Sequence, residues 1–122
     1  MSPARPYILV VDDDSEIRQT FRELLADEGY EVRTAGDGAE AMSFLLATGQ
    51  PPALILLDLM MPKKSGWEVL EGLRRSTLLM DVPIVIVSAH MGTPPAGAVA
   101  WIRKPVRWED LIGIVNRHMK AA

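Results

Sequence analysis

At 122 residues the chain is long enough for one domain with its own core and gives no sign of a second. Zero cysteines exclude disulfides and thiolate metal sites, and two histidines, His90 and His118, make a zinc centre improbable, so any metal would be held by oxygen. A net charge of −3 leaves no electrostatic footprint for nucleic acid. The apolar run after Met1–Pro6 is too short for a signal-peptide core, and the other apolar runs fall far below membrane-spanning length. A cytoplasmic protein with no membrane insertion and no direct nucleic-acid contact is expected.

The first apolar run, Tyr7-Ile8-Leu9-Val10-Val11, reads as a buried strand that runs into Asp12, Asp13 and Asp14. Asp14 or Ser15 can cap a helix whose apolar positions Ile17, Phe21, Leu24 and Leu25 share one face, and Gly29 stops it. Tyr30–Ala35 alternates as a strand with one exposed face. Gly36-Asp37-Gly38 then turns into a second helix that should point Ala41, Met42, Leu45 and Leu46 inward before Gly49 and Pro51-Pro52 end it. A third helix follows Ser65-Gly66 with Trp67, Leu70 and Leu73 on one side. The last helix is read from Leu111, Ile112, Val115 and Met119, and Arg117, His118 and Lys120 complement its C-terminal dipole.

Between the second and third helices lies Leu54-Ile55-Leu56-Leu57-Asp58-Leu59-Met60-Met61-Pro62, an apolar run bounded by proline and interrupted by one carboxylate. It predicts a strand buried on both faces that delivers Asp58 to its C-terminal edge, where open α/β sheets keep their chemistry. Alone, Asp58 would be an ordinary loop acid or a helix cap. It is not alone, because Ile84–Val87 ends in Ser88-Ala89, and Trp101-Ile102-Arg103 leads into Lys104-Pro105. Acid cluster, acid, hydroxyl and ammonium therefore each sit at a strand end.

Strands alternating with helices predict one parallel sheet of five strands covered on both faces. One connection breaks the pattern. Between Ser88 and the last strand, near Ala98, the segment His90–Gly97 holds two glycines and two prolines, and a full crossover needs roughly 10 to 12 residues or more. The crossover helix between strands 4 and 5 is therefore expected to be shortened or missing, leaving a partly open groove bordered by Val99, Trp101 and the final helix.

Carboxylates crowded at one sheet edge repel, at about 6 Å and an effective dielectric near 20 by roughly 3 kcal/mol per ionised pair. Lys104 can offset part of this, and a hard divalent ion can offset the rest; Mg²⁺ fits best because it needs only one or two carboxylates plus phosphate oxygens and water. Such a site suits phosphoryl transfer, with Asp58 as nucleophile, Asp13 and Asp12 on the metal, and Ser88 and Lys104 on phosphoryl oxygens.

These motifs, Val10-Val11-Asp12-Asp13-Asp14, Leu56-Leu57-Asp58-Leu59-Met60-Met61-Pro62 with Ser65-Gly66, Val87-Ser88-Ala89 and Lys104-Pro105, resemble from end to end a CheY-like response-regulator receiver domain. The resemblance implies a single domain over 1–122, doubly wound and flavodoxin-like with strand order 2-1-3-4-5. It implies that Asp58 is a phosphoacceptor charged by a sensor histidine kinase or a histidine phosphotransfer protein, and that Asp12, Asp13 and the Met60 carbonyl surround Mg²⁺. It further implies that Ser88 is the switch hydroxyl, Lys104 the phosphate-sensing lysine, and that Met60 and His90 flank the path of hydrolytic water. The Lys104-Pro105 bond is often cis in such domains. Trp101 stands where the family usually carries a rotating Tyr or Phe.

Other classes fit less well. A dehalogenase-like phosphatase would want an Asp where Met60 stands, and a nucleotide-binding flavodoxin-like protein would want a glycine- or hydroxyl-rich loop where three aspartates stand. A turnover enzyme is not expected, beyond self-catalysed phosphorylation and dephosphorylation. The serious alternative is a pseudo-receiver, a scaffold that binds its downstream protein target without a phosphorylation switch.

Overall fold

The computed structural model describes residues 5–61, 63–89, 92–93 and 96–119. In chain order they form β1 (Tyr7–Val11), α1 (Ser15–Asp27), β2 (Glu31–Ala35), α2 (Gly38–Ala47), β3 (Leu54–Leu57), α3 (Gly66–Arg74), β4 (Ile84–Ser88), β5 (Ala100–Arg103) and α4 (Trp108–Met119). The five strands are all parallel, in the order β2-β1-β3-β4-β5, as expected for a doubly wound sheet.

The two-residue period of each strand divides the core in two. Leu9, Val11, Ile55, Leu57 and Ile86 face α2 and α3, packing with Leu45, Val69, Leu70 and Leu73. Ile8, Val10, Leu54, Leu56, Val85 and Val87 face α1 and α4, packing with Phe21, Leu25, Leu111 and Val115. Every residue of β1, β3 and β4 is buried, which is why these strands read as unbroken apolar runs rather than alternating ones. Side-chain oxygens of Asp14, Asp37 and Ser65 accept from the first free amides of α1, α2 and α3, so each helix starts where a strand-end loop hands it a cap.

β3 stops at Leu57 and delivers Asp58 to its C-terminal edge, as expected; Leu59 is fully buried but lies in the loop beyond, and Met60 is exposed, so that loop keeps one anchor. Two helix expectations change. Leu46 does not point inward and is 71 % exposed, because a ten-residue helix crossing one sheet edge buries only the stripe of Ala41 and Leu45. Trp67 lies at the rim of α3 and is substantially exposed.

The connection from β4 to β5 contains no helix among its described residues, in agreement with its length and composition. The groove expected beside it does not form as one surface. Trp101 packs with the α2/α3 face and α4 covers the other, so the sheet itself separates them.

Candidate functional site

Asp12, Asp58 and Lys104 reach the sheet edge by the same device. Each is the first residue past its strand and is pinned by one further ladder bond: the Asp12 amide donates to the Ala35 carbonyl at 3.2 Å, Asp58 to Val11 at 2.9 Å and Lys104 to Ser88 at 3.0 Å. Parallel strands ending in step thus present two carboxylates and an ammonium at one level.

The Lys104 Nζ donates to Asp12 Oδ2 at 2.7 Å and lies 3.5 Å from Asp58 Oδ2. The remaining oxygens are also held, Asp12 Oδ1 by the Asp14 amide at 2.9 Å and Asp58 Oδ1 by the Met60 amide at 3.1 Å. Asp12 and Asp58 are almost wholly buried, whereas Asp13 is exposed. One carboxylate oxygen from each of Asp12, Asp13 and Asp58 can be chosen so that all lie within 4.8 Å of one another.

Burial pushes the Asp12 carboxyl above its ordinary value; the Lys104 ammonium and the Asp14 amide hold it down, and the charge of Asp58 adds to the rise. Burial works against the charge of Lys104, but the hydrogen bond to Asp12 and the two carboxylate charges outweigh it and hold its pKa above the ordinary lysine value. The site is thus a buried acid pair with one shared cation, and an exposed acid at its mouth.

Of the residues singled out in the sequence, Asp12, Asp13, Asp58 and Lys104 come together. Ser88 is fully buried at the last position of β4, and its carbonyl receives the Lys104 amide. Met60 contributes its amide to Asp58 and exposes its side chain. Trp101 lies on β5 opposite Ile86, its indole nitrogen buried and the Arg103 guanidinium 5.2 Å from its ring centre. His90 lies outside the described residues. The Lys104-Pro105 bond is cis.

The structure adds groups with no signal in the one-dimensional pattern. Arg18, in the first turn of α1, donates from Nη1 to the Asp12 carbonyl at 2.7 Å, although helix arginines usually keep their head in solvent. Asp37 accepts from the Glu40 amide at 2.8 Å and pairs with Lys63 at 3.7 Å, and Lys63 has a left-handed backbone with φ 66°. Beside Lys104, an apolar depression is lined by Ile17, Phe21, Ala89, Pro105 and Val106.

This arrangement of strand-end acids and lysine on an order 2-1-3-4-5 sheet agrees with a family comparison, in which the model for the response regulator receiver domain matches residues 8–116. The chain belongs to the response-regulator receiver family. As a receiver it is 40 % identical over 111 residues to the response regulator MprA of Mycobacterium avium, covering 86 % of this chain and 47 % of that protein. The chain therefore spans about half the length of the curated relatives it matches. Among solved structures it is similar to the chemotaxis protein CheY4 of Vibrio cholerae, with 32 % identity, a TM-score of 0.81 and coverage of 93 % of this chain and 98 % of the other. It is equally similar to the response regulator TrrA of Thermotoga maritima, solved in complex with Mg²⁺ and BeF, with 31 % identity, a TM-score of 0.81 and the same coverage.

The donor set fits a hard cation: three carboxylates, two of them buried, with no sulfur or imidazole joining the cluster among the described residues. No helix among the described residues is long and apolar enough to cross a membrane.

Proposed function

We propose that this receiver is the phosphoacceptor of a two-component or phosphorelay system, with Asp58 as the residue phosphorylated. The observation that supports it is the position of the Asp58 carboxylate, buried at a strand end between the acids of β1 and the Lys104 ammonium. Asp12, Asp13 and the Met60 carbonyl would hold Mg²⁺, which supplies charge neutralisation for the incoming phosphoryl group. One Asp58 oxygen attacks phosphorus; the new O–P bond forms as the P–N bond of a donor phosphohistidine breaks, and its electron pair returns to the imidazole nitrogen. Lys104, already 3.5 Å from Asp58, and the Ser88 hydroxyl bind the phosphoryl oxygens. Met60 screens the acyl phosphate from water on the exposed side, and His90 would flank the same path.

The donor in this reading is a sensor histidine kinase or histidine phosphotransfer protein in the cytoplasm, and the output is altered binding of a downstream protein. Chemistry on any other substrate is not part of it. Intact mass after incubation with acetyl phosphate and Mg²⁺ tests it. One phosphate should be gained, and none in Asp58→Asn; undiminished labelling of that variant would sink the assignment.

One observation favours the pseudo-receiver reading: the described residues of the β4–β5 connection contain no helix through which a conformational signal could spread. Hydrogen exchange with and without beryllofluoride separates the two. Protection rising across residues 88–101, a stretch that ends at Trp101, supports a switch; protection confined to the loop after Asp58 supports a scaffold.

A further inference from the structure

The loop from Asp58 to Gly66 carries the acceptor carboxylate at one end and starts α3 at the other. Its neck is closed, because the Gly66 amide donates to the Leu59 carbonyl at 3.1 Å and a Cβ on Gly66 would come within 2.6 Å of the Leu59 Cα. Its tip, Lys63-Lys64, rests on a different element, the corner where β2 turns into α2. Gly38 is buried there, and a Cβ at that position would overlap the Lys64 carbonyl oxygen and lie 2.8 Å from both the Lys64 carbonyl carbon and Cβ. Real Cβ atoms essentially never come closer than 3.0 Å to a neighbour, so the two backbones touch only because residue 38 has no side chain.

The same corner is rigid and charged. Gly36 donates its amide to Glu40 Oε2 at 2.9 Å while Asp37 Oδ1 accepts from the Glu40 amide at 2.8 Å, a reciprocal pair that fixes the turn. That leaves Asp37 Oδ2 facing the Lys63 ammonium at 3.7 Å. Lys63 holds a left-handed backbone, a conformation that costs a non-glycine residue roughly 1 kcal/mol and persists only where the surroundings enforce it.

We infer that the Asp37-Gly38 corner positions the phosphoacceptor loop: Gly38 is the seat for its tip, and Asp37 is the clasp that keeps Lys63 in the left-handed conformation. The inference rests on Asp58 being the acceptor. Because the neck is closed, displacement of the tip passes to Met60, whose amide holds Asp58 Oδ1 at 3.1 Å. A Cβ at Gly38 must push the tip on the order of 1 Å, a misplacement that can cost a catalytic geometry about a hundredfold. Asp37 and Gly38 touch neither Asp58 nor a phosphoryl group in this account, so they are positioning residues.

Two readouts test this. In Gly38→Ala, labelling by acetyl phosphate should slow at least tenfold at saturating donor. In the metal-free protein, the amide ¹H–¹⁵N resonances of Leu59, Met60 and Lys63 should shift while those of β4 do not. A folded Gly38→Ala with the labelling rate and the Met60 resonance of the parent overturns the inference. Should Gly38→Ala not fold, a cycle decides: Asp37→Asn, which keeps the cap oxygen, should slow labelling two- to threefold and move the Lys63 resonance. In a Lys63→Gly background, where the left-handed backbone is free of strain, it should change neither the labelling rate nor the amide resonance of position 63, and equal effects in both backgrounds overturn the clasp. Should the parent protein take no phosphate at all, the acceptor reading fails instead, and the metal-free resonances still decide the contact between corner and loop.

Discussion

The C-terminal edge of the sheet has two halves built to different standards. On the side of β1 and β3, each loop is held at several points: Asp12 by the Ala35 carbonyl, the Arg18 guanidinium, the Asp14 amide and Lys104, and the loop after Asp58 by Gly66 at its neck and Gly38 at its tip. On the side of β4 and β5, the connection has no helix among its described residues, exposes Val99, and takes a left-handed turn at Gly97. The difference teaches where precision is required. Placing a carboxylate for the proposed phosphoryl transfer tolerates little displacement, whereas a segment that must only bind or move can be short and loosely packed. If this contrast is functional, variants in the first half should damage chemistry, and variants in the β4–β5 connection and on β5, away from Ser88 and Lys104 themselves, should damage stability or signalling while leaving chemistry intact.

The largest effect is expected at Lys104, the cation both carboxylates share. Lys104→Met leaves two buried acids facing each other, and removing one partner of a buried ion pair typically costs 3–5 kcal/mol. Because the lysine side chain is 19 % exposed, about 3 kcal/mol is expected in the metal-free protein by urea unfolding. Mg²⁺ should restore part of it, since a divalent ion between Asp12, Asp13 and Asp58 supplies the missing charge. A Lys104→Met protein as stable as its parent without Mg²⁺ would mean that the acid pair is not electrostatically strained.

On β5 away from the acids, Trp101→Ala should cost about 2 kcal/mol, less than a fully buried tryptophan because the residue keeps some exposure. The ring packs against the core on the α2/α3 face of the sheet, so its loss opens a cavity there. The rate of labelling by acetyl phosphate should change less than twofold. A stability loss with unchanged labelling keeps the two halves independent, and a tenfold loss of labelling would join them.

Much of this was legible in the sequence for a definite physical reason. Strands buried on both faces write continuous apolar runs, and a polar residue directly after such a run has nowhere to go but the strand end, so Asp12, Asp58 and Ser88 announced themselves, whereas Lys104 follows the half-buried β5 and was read from its place before Pro105. The short, Gly- and Pro-rich segment before β5 likewise declared that no full helix fits. Leu46 misled because periodicity shows which residues share a stripe but not how wide the covered stripe is. Arg18 and Gly38 were silent because each acts through backbone: a carbonyl accepted in one case, an excluded Cβ in the other. Neither leaves a pattern along the chain, and both emerge only when β1, α1, α2 and the acceptor loop are brought together.

A smaller effect comes from Asp12, and its sign separates folding from metal binding. The folded protein raises the Asp12 pKa above 3.8, mainly by burial, so the contribution of this group to stability is present below its ordinary value and is lost as pH rises through the raised one. Acidification through that window should therefore relieve the metal-free protein at this residue while removing the ionised form that Mg²⁺ needs. Calorimetric Mg²⁺ affinity should fall on acidification beginning at a pH above the usual aspartate range, and Asp12→Asn should flatten that dependence. A profile in the variant that follows the parent's would mean that Asp12 does not set the pH dependence.

The smallest effect is expected at Gly97, and it sharpens the comparison because Gly97 is the counterpart of Gly38 on the loose side. Its φ of +96° favours glycine, and a Cβ there would come within 2.5 Å of the Arg74 Nη2. The neighbour differs in kind from the one at Gly38: the far end of a flexible arginine on α3 can swing into solvent, whereas the Lys64 backbone cannot. Gly97→Ala should therefore cost only the left-handed penalty, about 1 kcal/mol, read as a drop of about 4 °C in thermal midpoint. Adding Arg74→Ala should change that cost little, since the arginine already yields, and labelling of Asp58 should be unaffected in both variants. If Gly97→Ala instead slowed labelling as much as Gly38→Ala, the short crossover would be bracing Ser88 and Lys104 for catalysis, and the loosely built half of the sheet edge would belong to the chemistry after all.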